Sequence, residues 1–143
     1  MLSAAIFFPA NILFLSSKVI LLNGAEVKKI IIYEKPTCTT CRKTVNILKE
    51  MGVDFEKVNY YIKPFSKSKL KSLLTKLKMK PSELLRKNED AYKNLKGKIE
   101  NLSDDEIINL MIKNPALVQR PIVEIGDEAI LARPAEKIKE LFA

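Results

Sequence analysis

Apolar residues fall along this chain in blocks whose spacing switches between the two-residue period of strands and the roughly 3.6-residue period of helices. Lys29–Glu34 (KIIIYE) is a short β-branched run that reads as a buried strand. Pro36 breaks the run. From Thr39 to Met51 the apolar positions Cys41, Val45 and Leu48 recur at helical spacing, and Gly52 suits the position just past a helix end. Val53–Tyr60 then alternates, with Val53 and Phe55 set against Asp54 and Glu56, and reads as a second strand. A strand, a helix and a strand in this order cross over right-handed into a parallel pair.

The next fifty residues carry a helical pattern. Leu70, Leu73, Leu74 and Leu77 follow the i, i+3, i+4, i+7 rule. Pro81 opens a short helix expected to run through Leu84, Leu85 and Arg86. Ser103 with Glu106 forms a capping box before the stripe Ile107, Ile108, Met111, Ile112, and Asn114-Pro115 closes that helix. Pro121–Ile125, Gly126-Asp127 and Ala129–Leu131 read as strand, turn and strand. Pro134 starts a last helix with Ile138, Leu141 and Phe142 on its apolar face. The order is β-α-β, a helical block, then β-β-α, which is an α/β chain.

The first 28 residues do not share this patterning. Ala4–Leu22 reads AAIFFPANILFLSSKVILL. No Lys or Arg precedes Lys18, so the positive start of a signal peptide is missing. Pro9, Asn11, Ser16, Ser17 and Lys18 interrupt what would be a membrane span. Three readings stand: an extension from a misplaced start codon, a weak signal or anchor segment, or an added element packed on the domain. We therefore divide the chain into an apolar N-terminal extension, 1–28, and a domain, 29–143.

Composition narrows the chemistry. The 143 residues hold two cysteines and no histidine. Without histidine there is no Ser-His-Asp triad, no Cys-His pair and no His-ligated metal site. Two cysteines alone build neither a Cys₄ zinc site nor an iron–sulfur cluster. Catalysis would rest on thiols, carboxylates, lysines, arginines or backbone, with no bound cofactor or metal expected. The net charge of +8 favours anions. No run of like charges resembles a nucleic-acid tail, and no aromatic residues interleave with the basic ones, so no nucleic-acid partner is expected. Lys67, Lys69, Lys71, Lys76, Lys78 and Lys80 surround the leucine stripe and read as the wet side of a helix.

The two cysteines lie in Pro36-Thr37-Cys38-Thr39-Thr40-Cys41-Arg42-Lys43. Cys38 falls where the loop meets the helix N-terminus, with free backbone N–H groups and the positive end of the helix dipole. Arg42 and Lys43 add charge, and every one of these effects favours thiolate. With a pKa near 8.5 a thiol is only about 3% ionised at pH 7, whereas at about 6.5 three quarters would be. Cys41 lies one turn along on the same side, placed to attack an adduct on Cys38 and release it as an intramolecular disulfide.

With these residues in view, the chain resembles the arsenate reductase/Spx family of the thioredoxin-like superfamily, over about Lys29 to Phe142. Four separated motifs carry the resemblance: YEKPTCTTCRK at 33–43, LLRKN at 84–88, QRPIVEIGD at 119–127 and ARPAEKI at 132–138. The resemblance implies a thioredoxin-like fold with a mixed four-stranded sheet and a helical insertion between its halves. It implies a nucleophilic Cys38, with Arg86, Arg120 and Arg133 holding an oxyanion, and a cis-proline at Pro121 facing the thiol. Arsenate is a dianion near neutral pH, so attack on it by a thiolate needs fixed positive charge and the paired donors of guanidinium. Glutathione with glutaredoxin, or thioredoxin, would return the electrons, and the protein would work as a cytoplasmic monomer.

Two departures stand out. In the glutaredoxin-coupled reductases the position of Glu34 holds a histidine that assists the thiol. A carboxylate there would raise the thiol pKa and repel an anion, unless a nearby cation neutralises it or its side chain points away. The position of Cys41 is often serine in those enzymes. Alternatives therefore stay open: an Spx-like redox switch binding RNA polymerase, or a general disulfide or glutathione-dependent reductase. Arg133 and LLRKN favour the arsenate reductase-like members.

Overall fold

A computed structural model describes residues 19–22, 26–95 and 97–142. Most of the Ala4–Leu22 segment, with the leader, anchor and start-codon readings attached to it, lies outside the described residues.

Among the described residues five strands form the sheet. β1 (Val19–Leu22) pairs antiparallel with the first half of β2 (Glu26–Glu34), from Val19↔Lys29 to Leu22↔Glu26. The second half of β2 is central to the expected mixed four-stranded sheet. On it lie β3 (Glu56–Asn59), parallel, and β4 (Ile122–Ile125), antiparallel, with β5 (Glu128–Leu131) antiparallel outside β4. β2 thus starts three residues before Lys29, because residues 26–29 find backbone partners in β1. A boundary at residue 28 falls inside this strand.

α1 (Thr39–Glu50) links β2 to β3 and ends, as its glycine foretells, with Gly52 at a positive φ of 72°. The helical insertion holds α2 (Lys67–Leu77), a 3₁₀ turn at Pro81–Leu84, the one-turn α3 (Asp90–Lys93) and α4 (Asp104–Lys113). Ser66 caps α2, and the Ser103/Glu106 box caps α4. The segment expected to continue the Pro81 helix through Arg86 does not. Leu85 is extended and bridges Val118, because pairing with 117–119 satisfies backbone groups that a short exposed helix would leave open. The C-terminal helix, Ala135–Phe142, is wound as 3₁₀.

The sheet separates two apolar layers. On one face Ile30, Ile32, Val123 and Ile125 meet Val45 and Leu48 of α1 and Ile138 of the C-terminal helix. On the other, Tyr33 and Ile122 meet the insertion through Leu70, Leu73, Leu84, Ile107, Met111 and Leu117. Each fully buried side chain of this size contributes roughly 1.5–3 kcal/mol relative to exposure. The alternation along β2 decides its faces: Ile30, Ile32 and Glu34 point to α1, Ile31 and Tyr33 to the insertion.

The insertion face also holds a charge cluster that the lysine pattern conceals. Glu124 is 5% exposed and accepts hydrogen bonds from Lys69 Nζ (2.8 and 3.1 Å), Lys76 Nζ and Tyr33 Oη (2.9 Å). Lys76 also donates to the Gly126 carbonyl at 2.9 Å. Lys69 and Lys76 are therefore not solvated helix decoration; they reach along their own methylene stems to a buried carboxylate. Lys67 and Lys71 do stay outside, paired with exposed Asp105 at 3.2 and 3.1 Å.

Candidate active site

Cys38 is the N-cap of α1, in extended conformation, and is partly exposed. The loop before it is closed by Cys38 N–H donating to the Lys35 carbonyl at 2.9 Å. No acidic residue occupies the first turn of α1, so its dipole acts on the sulfur unopposed from that turn. Partial burial pushes the Cys38 thiol up. The Cys41 backbone N–H, the Cys41 thiol and the Arg120 guanidinium together outweigh that burial, and Cys38 is held below the ordinary thiol value.

Cys41 is fully buried one helical turn behind. Burial pushes its thiol up, to about 12, although a hydrogen bond from the Lys35 backbone opposes the rise. Its own donation to the Cys38 sulfur and the charges of Cys38 and Glu34 push in the same direction as burial. The pair is thus divided into one accessible, acidified sulfur and one hidden, protonated sulfur, both reduced.

Three arginines arrive from three directions. Arg120 precedes β4 and Arg133 follows β5, so the hairpin that pairs Ile122 with Leu131 also sets the two arginines side by side. Arg133 Nη1 donates to the Arg120 carbonyl at 2.9 Å, and Ala132 N–H donates to the Pro121 carbonyl at 3.0 Å. The peptide bonds Arg120-Pro121 and Arg133-Pro134 are both cis; the resemblance implied the first, and nothing in the sequence singled out the second. Arg86 is brought in by the pairing of its segment with 117–119: its N–H donates to the Leu117 carbonyl at 2.7 Å, and Gln119 N–H to the Leu84 carbonyl at 3.0 Å.

These parts line one polar cleft of about 320 Å³, formed by Lys35, Thr37, Cys38, Thr39, Thr40, Arg86, Arg120 and Arg133. Four of the five residues picked from sequence therefore share a cleft, and Cys41 lies behind it. Arg120 is only 6% exposed; its Nη1 donates to the Val118 carbonyl at 3.4 Å, and its guanidinium also acts on the Cys38 sulfur and the Tyr60 hydroxyl. Its Nε is buried with no hydrogen-bond partner. Arg86 Nε lies 2.8 Å from Glu89 Oε1 as an ion pair, without the alignment of a hydrogen bond. A buried guanidinium N–H left without a partner beside a cleft is a donor suited to an oxyanion.

Sequence reasoning missed Tyr61. Its ring lies under Lys35 Nζ at 4.8 Å and Arg120 Cζ at 5.8 Å, and its hydroxyl is buried without a partner. No pattern could have found it, because its neighbours come from the β2–α1 loop and from the start of β4. Glu34, which departs from the family pattern, is 5% exposed, at the end of the β2 face that α1 covers, and not among the cleft-lining residues.

Among the described residues no cluster of three or more His, Cys, Asp or Glu could hold a metal ion. None of the described helices is long and apolar enough to cross a membrane.

Comparison with known proteins meets this geometry from the other side. The family model "ArsC family" matches residues 33–141. The chain is 40% identical over 115 residues to the uncharacterized protein YfgD of Escherichia coli K12, covering 80% of this chain and 97% of that one. It is 30% identical over 116 residues to an arsenate reductase of Acidiphilium multivorum, covering 81% and 82%. A solved arsenate reductase from Vibrio cholerae superposes with a TM-score of 0.74 at 31% identity, over 78% of this chain and 95% of that chain. Motifs, fold and relatives converge, so the chain belongs to the ArsC family and is an ArsC-type thiol oxidoreductase of thioredoxin-like fold.

Proposed function

We propose that this chain reduces arsenate, with Cys38 as nucleophile, Cys41 as resolving thiol and Arg86, Arg120 and Arg133 as the oxyanion clamp. The observation that carries the reading is the convergence of an acidified thiol and three guanidinium groups on one polar cleft, with the Arg120 Nε donor unpartnered.

The chemistry follows from that arrangement. The arginines offset the repulsion between a thiolate and a dianion and hold the oxygens while the sulfur approaches arsenic. Cys38 sulfur bonds to arsenic as one arsenate oxygen leaves as water. Cys41 then attacks the Cys38 sulfur. The new S–S bond forms, the S–As bond breaks with its electron pair on arsenic, and arsenite departs. The two sulfurs have lost the two electrons that arsenic gained. A dithiol carrier, thioredoxin or glutaredoxin with glutathione, reduces the Cys38–Cys41 disulfide by exchange. That cycle suits a reducing compartment such as the cytoplasm.

The test is arsenate-dependent NADPH oxidation with each carrier system. Wild type turns over with at least one of them, and Cys38→Ser falls to background, a loss of at least about 10³-fold for a removed nucleophile. No arsenate-dependent turnover with either system, alongside turnover of a model disulfide, would replace arsenate by a disulfide substrate.

A further inference from the structure

Lys35 lines the cleft, yet the chemistry above gives it no task. Its main chain is held between the two sulfurs. Its carbonyl accepts from the Cys38 N–H at 2.9 Å, and its own N–H is hydrogen-bonded to the Cys41 sulfur. The residue is half-buried. Among the described residues its ammonium meets an aromatic ring and no carboxylate, with Nζ 4.8 Å from the centre of the Tyr61 ring. The lysines of α2 behave otherwise: Lys67 and Lys71 pair with Asp105, and Lys69 and Lys76 with Glu124.

The ring is held as firmly as the lysine backbone. β3 pairs in parallel with the end of β2, with Glu34 opposite Asn59. The loop that opens with Lys35 and the turn that holds Tyr61 therefore leave the sheet side by side. Tyr61 N–H donates to Asn59 Oδ1 at 3.0 Å. Its ring packs at 5.2 Å on Tyr60, which is buried and donates to the Val118 carbonyl at 3.2 Å. Arg120 Cζ lies 5.8 Å from the same Tyr61 ring centre. Two cations thus share one ring, and they can be no further apart than those two lengths laid end to end. Each is attracted by the negative ring face. They repel each other, and Arg86 and Arg133 on the same cleft add to the repulsion. Among the described residues no carboxylate lines the cleft; Glu89, which pairs with Arg86, stands outside that lining. Four like charges gathered there are relieved when an anion stands among them, and a cleft of one sign concentrates the field that draws it in.

We propose that Lys35 is a fourth cation of the oxyanion site, and that Tyr61 positions it, together with Arg120, through its ring face. The arginines offer planar pairs of donors that fix the orientation of an oxyanion. An ammonium on a flexible stem is a compact charge with three rotatable donors, able to follow an oxygen as the anion nears the sulfur. Lys35 thereby selects for negative charge on whatever reaches Cys38. This role rests on the cleft being an anion site, as proposed above, and not on arsenate being the anion.

The experiment alkylates Cys38 in the whole reduced protein with iodoacetate and, separately, with iodoacetamide. The adduct on Cys38 is located by mass spectrometry, and the two second-order rates are compared. The neutral reagent reports the reactivity of the sulfur, and the ratio of anionic to neutral rates reports the pull on an anion. Lys35→Met keeps the stem and removes the charge, and its ratio is expected to fall about fivefold, the effect of one charge a few ångströms away in a wet cleft. Lys35→Arg restores most of it. Tyr61→Leu should lower the ratio about threefold. Tyr61→Phe, which keeps the ring and drops a hydroxyl that is buried without a partner, should hold it. Lys63→Met removes an exposed lysine outside the cleft lining and should leave the ratio as it is. Both rates falling together in Lys35→Met, with an unchanged ratio, overturns the proposal, because Lys35 would then act on the sulfur alone. An equal fall of the ratio in Lys63→Met overturns it too, by reducing Lys35 to its share of the net charge. A ratio as low in Tyr61→Phe as in Tyr61→Leu overturns the positioning role of the ring. A wild-type ratio no higher than that of mercaptoethanol is a different failure: it removes the anion site itself. Arsenate turnover, present or absent, changes none of these ratios.

Discussion

Two carboxylates are buried to the same extent, 5% exposed, on opposite faces of one sheet, and their surroundings differ in every other respect. Glu124 on β4 faces the insertion and accepts from Lys69, Lys76 and Tyr33. Glu34 on β2 faces α1, and the cation that acts on it is Lys57 on β3. Burial pushes both carboxyls up. At Glu124 the two lysines and the tyrosine reverse that push, and the carboxyl sits below its ordinary value. At Glu34 burial prevails, and the carboxyl sits above it. Burial alone therefore says little about what a carboxylate does. Its partners decide in which direction its ionisation is pushed.

The largest break in this comparison should come from Glu124. Glu124→Gln leaves two lysines without their common anion and withdraws the charge-assisted bonds that join α2 to β4. An unfolding free energy lower by about 2 kcal/mol is expected from denaturant melts at neutral pH. The acid limb should change as well. A carboxyl with a lowered folded value contributes stability that is present above its ordinary value of 4.5 and is lost as pH falls through the folded value. Glu124→Gln should flatten that part of the acid limb. An unchanged midpoint and acid limb would make the cluster ornamental.

A smaller effect is expected from the cations. Lys69→Met leaves Glu124 with Lys76 and Tyr33, so the carboxylate keeps two of its three partners. The loss should be about 1 kcal/mol by the same melts, clearly less than for Glu124→Gln. A larger loss than for the glutamate itself would mean that Lys69 acts by packing over Tyr33, whose ring its Nζ approaches at 5.6 Å.

These two carboxylates also mark the limits of what the sequence discloses. The strand and helix order and the cysteine pair were legible because each is a local pattern, a period, a cap or a short spacing, whereas the three arginines were singled out only through the family resemblance. Glu124 lies inside QRPIVEIGD, yet no local signal tells that Lys69 and Lys76, some fifty residues earlier, turn inward to it. The lysine periodicity points the other way, since a stem that reaches inward and one that stays in water look alike in a string. Glu34 was visible as a departure from a family pattern. Its orientation required knowing which face of β2 receives α1, a fact of tertiary packing. Tyr61 and the segment 84–86 escaped for the same reason: each owes its place to residues remote in the chain.

The finest distinction concerns Glu34 in stability alone. A carboxyl whose folded value is raised favours the protonated form in the native state. Its contribution is therefore fully present below the ordinary value of 4.5 and is lost as pH rises through the raised folded value. Above that value the native protein ionises this carboxyl at a cost. Glu34→Gln removes the cost, so its stability at neutral pH should equal or exceed that of wild type, by at most about 1 kcal/mol. The difference should shrink toward acid pH, as the wild-type side chain takes up its proton. Melts of both proteins across this range give two curves that meet on the acid side and separate as pH rises, the reverse of the Glu124→Gln pattern. A Glu34→Gln protein that is less stable than wild type at neutral pH would place Glu34 beside Glu124 as a structural anchor.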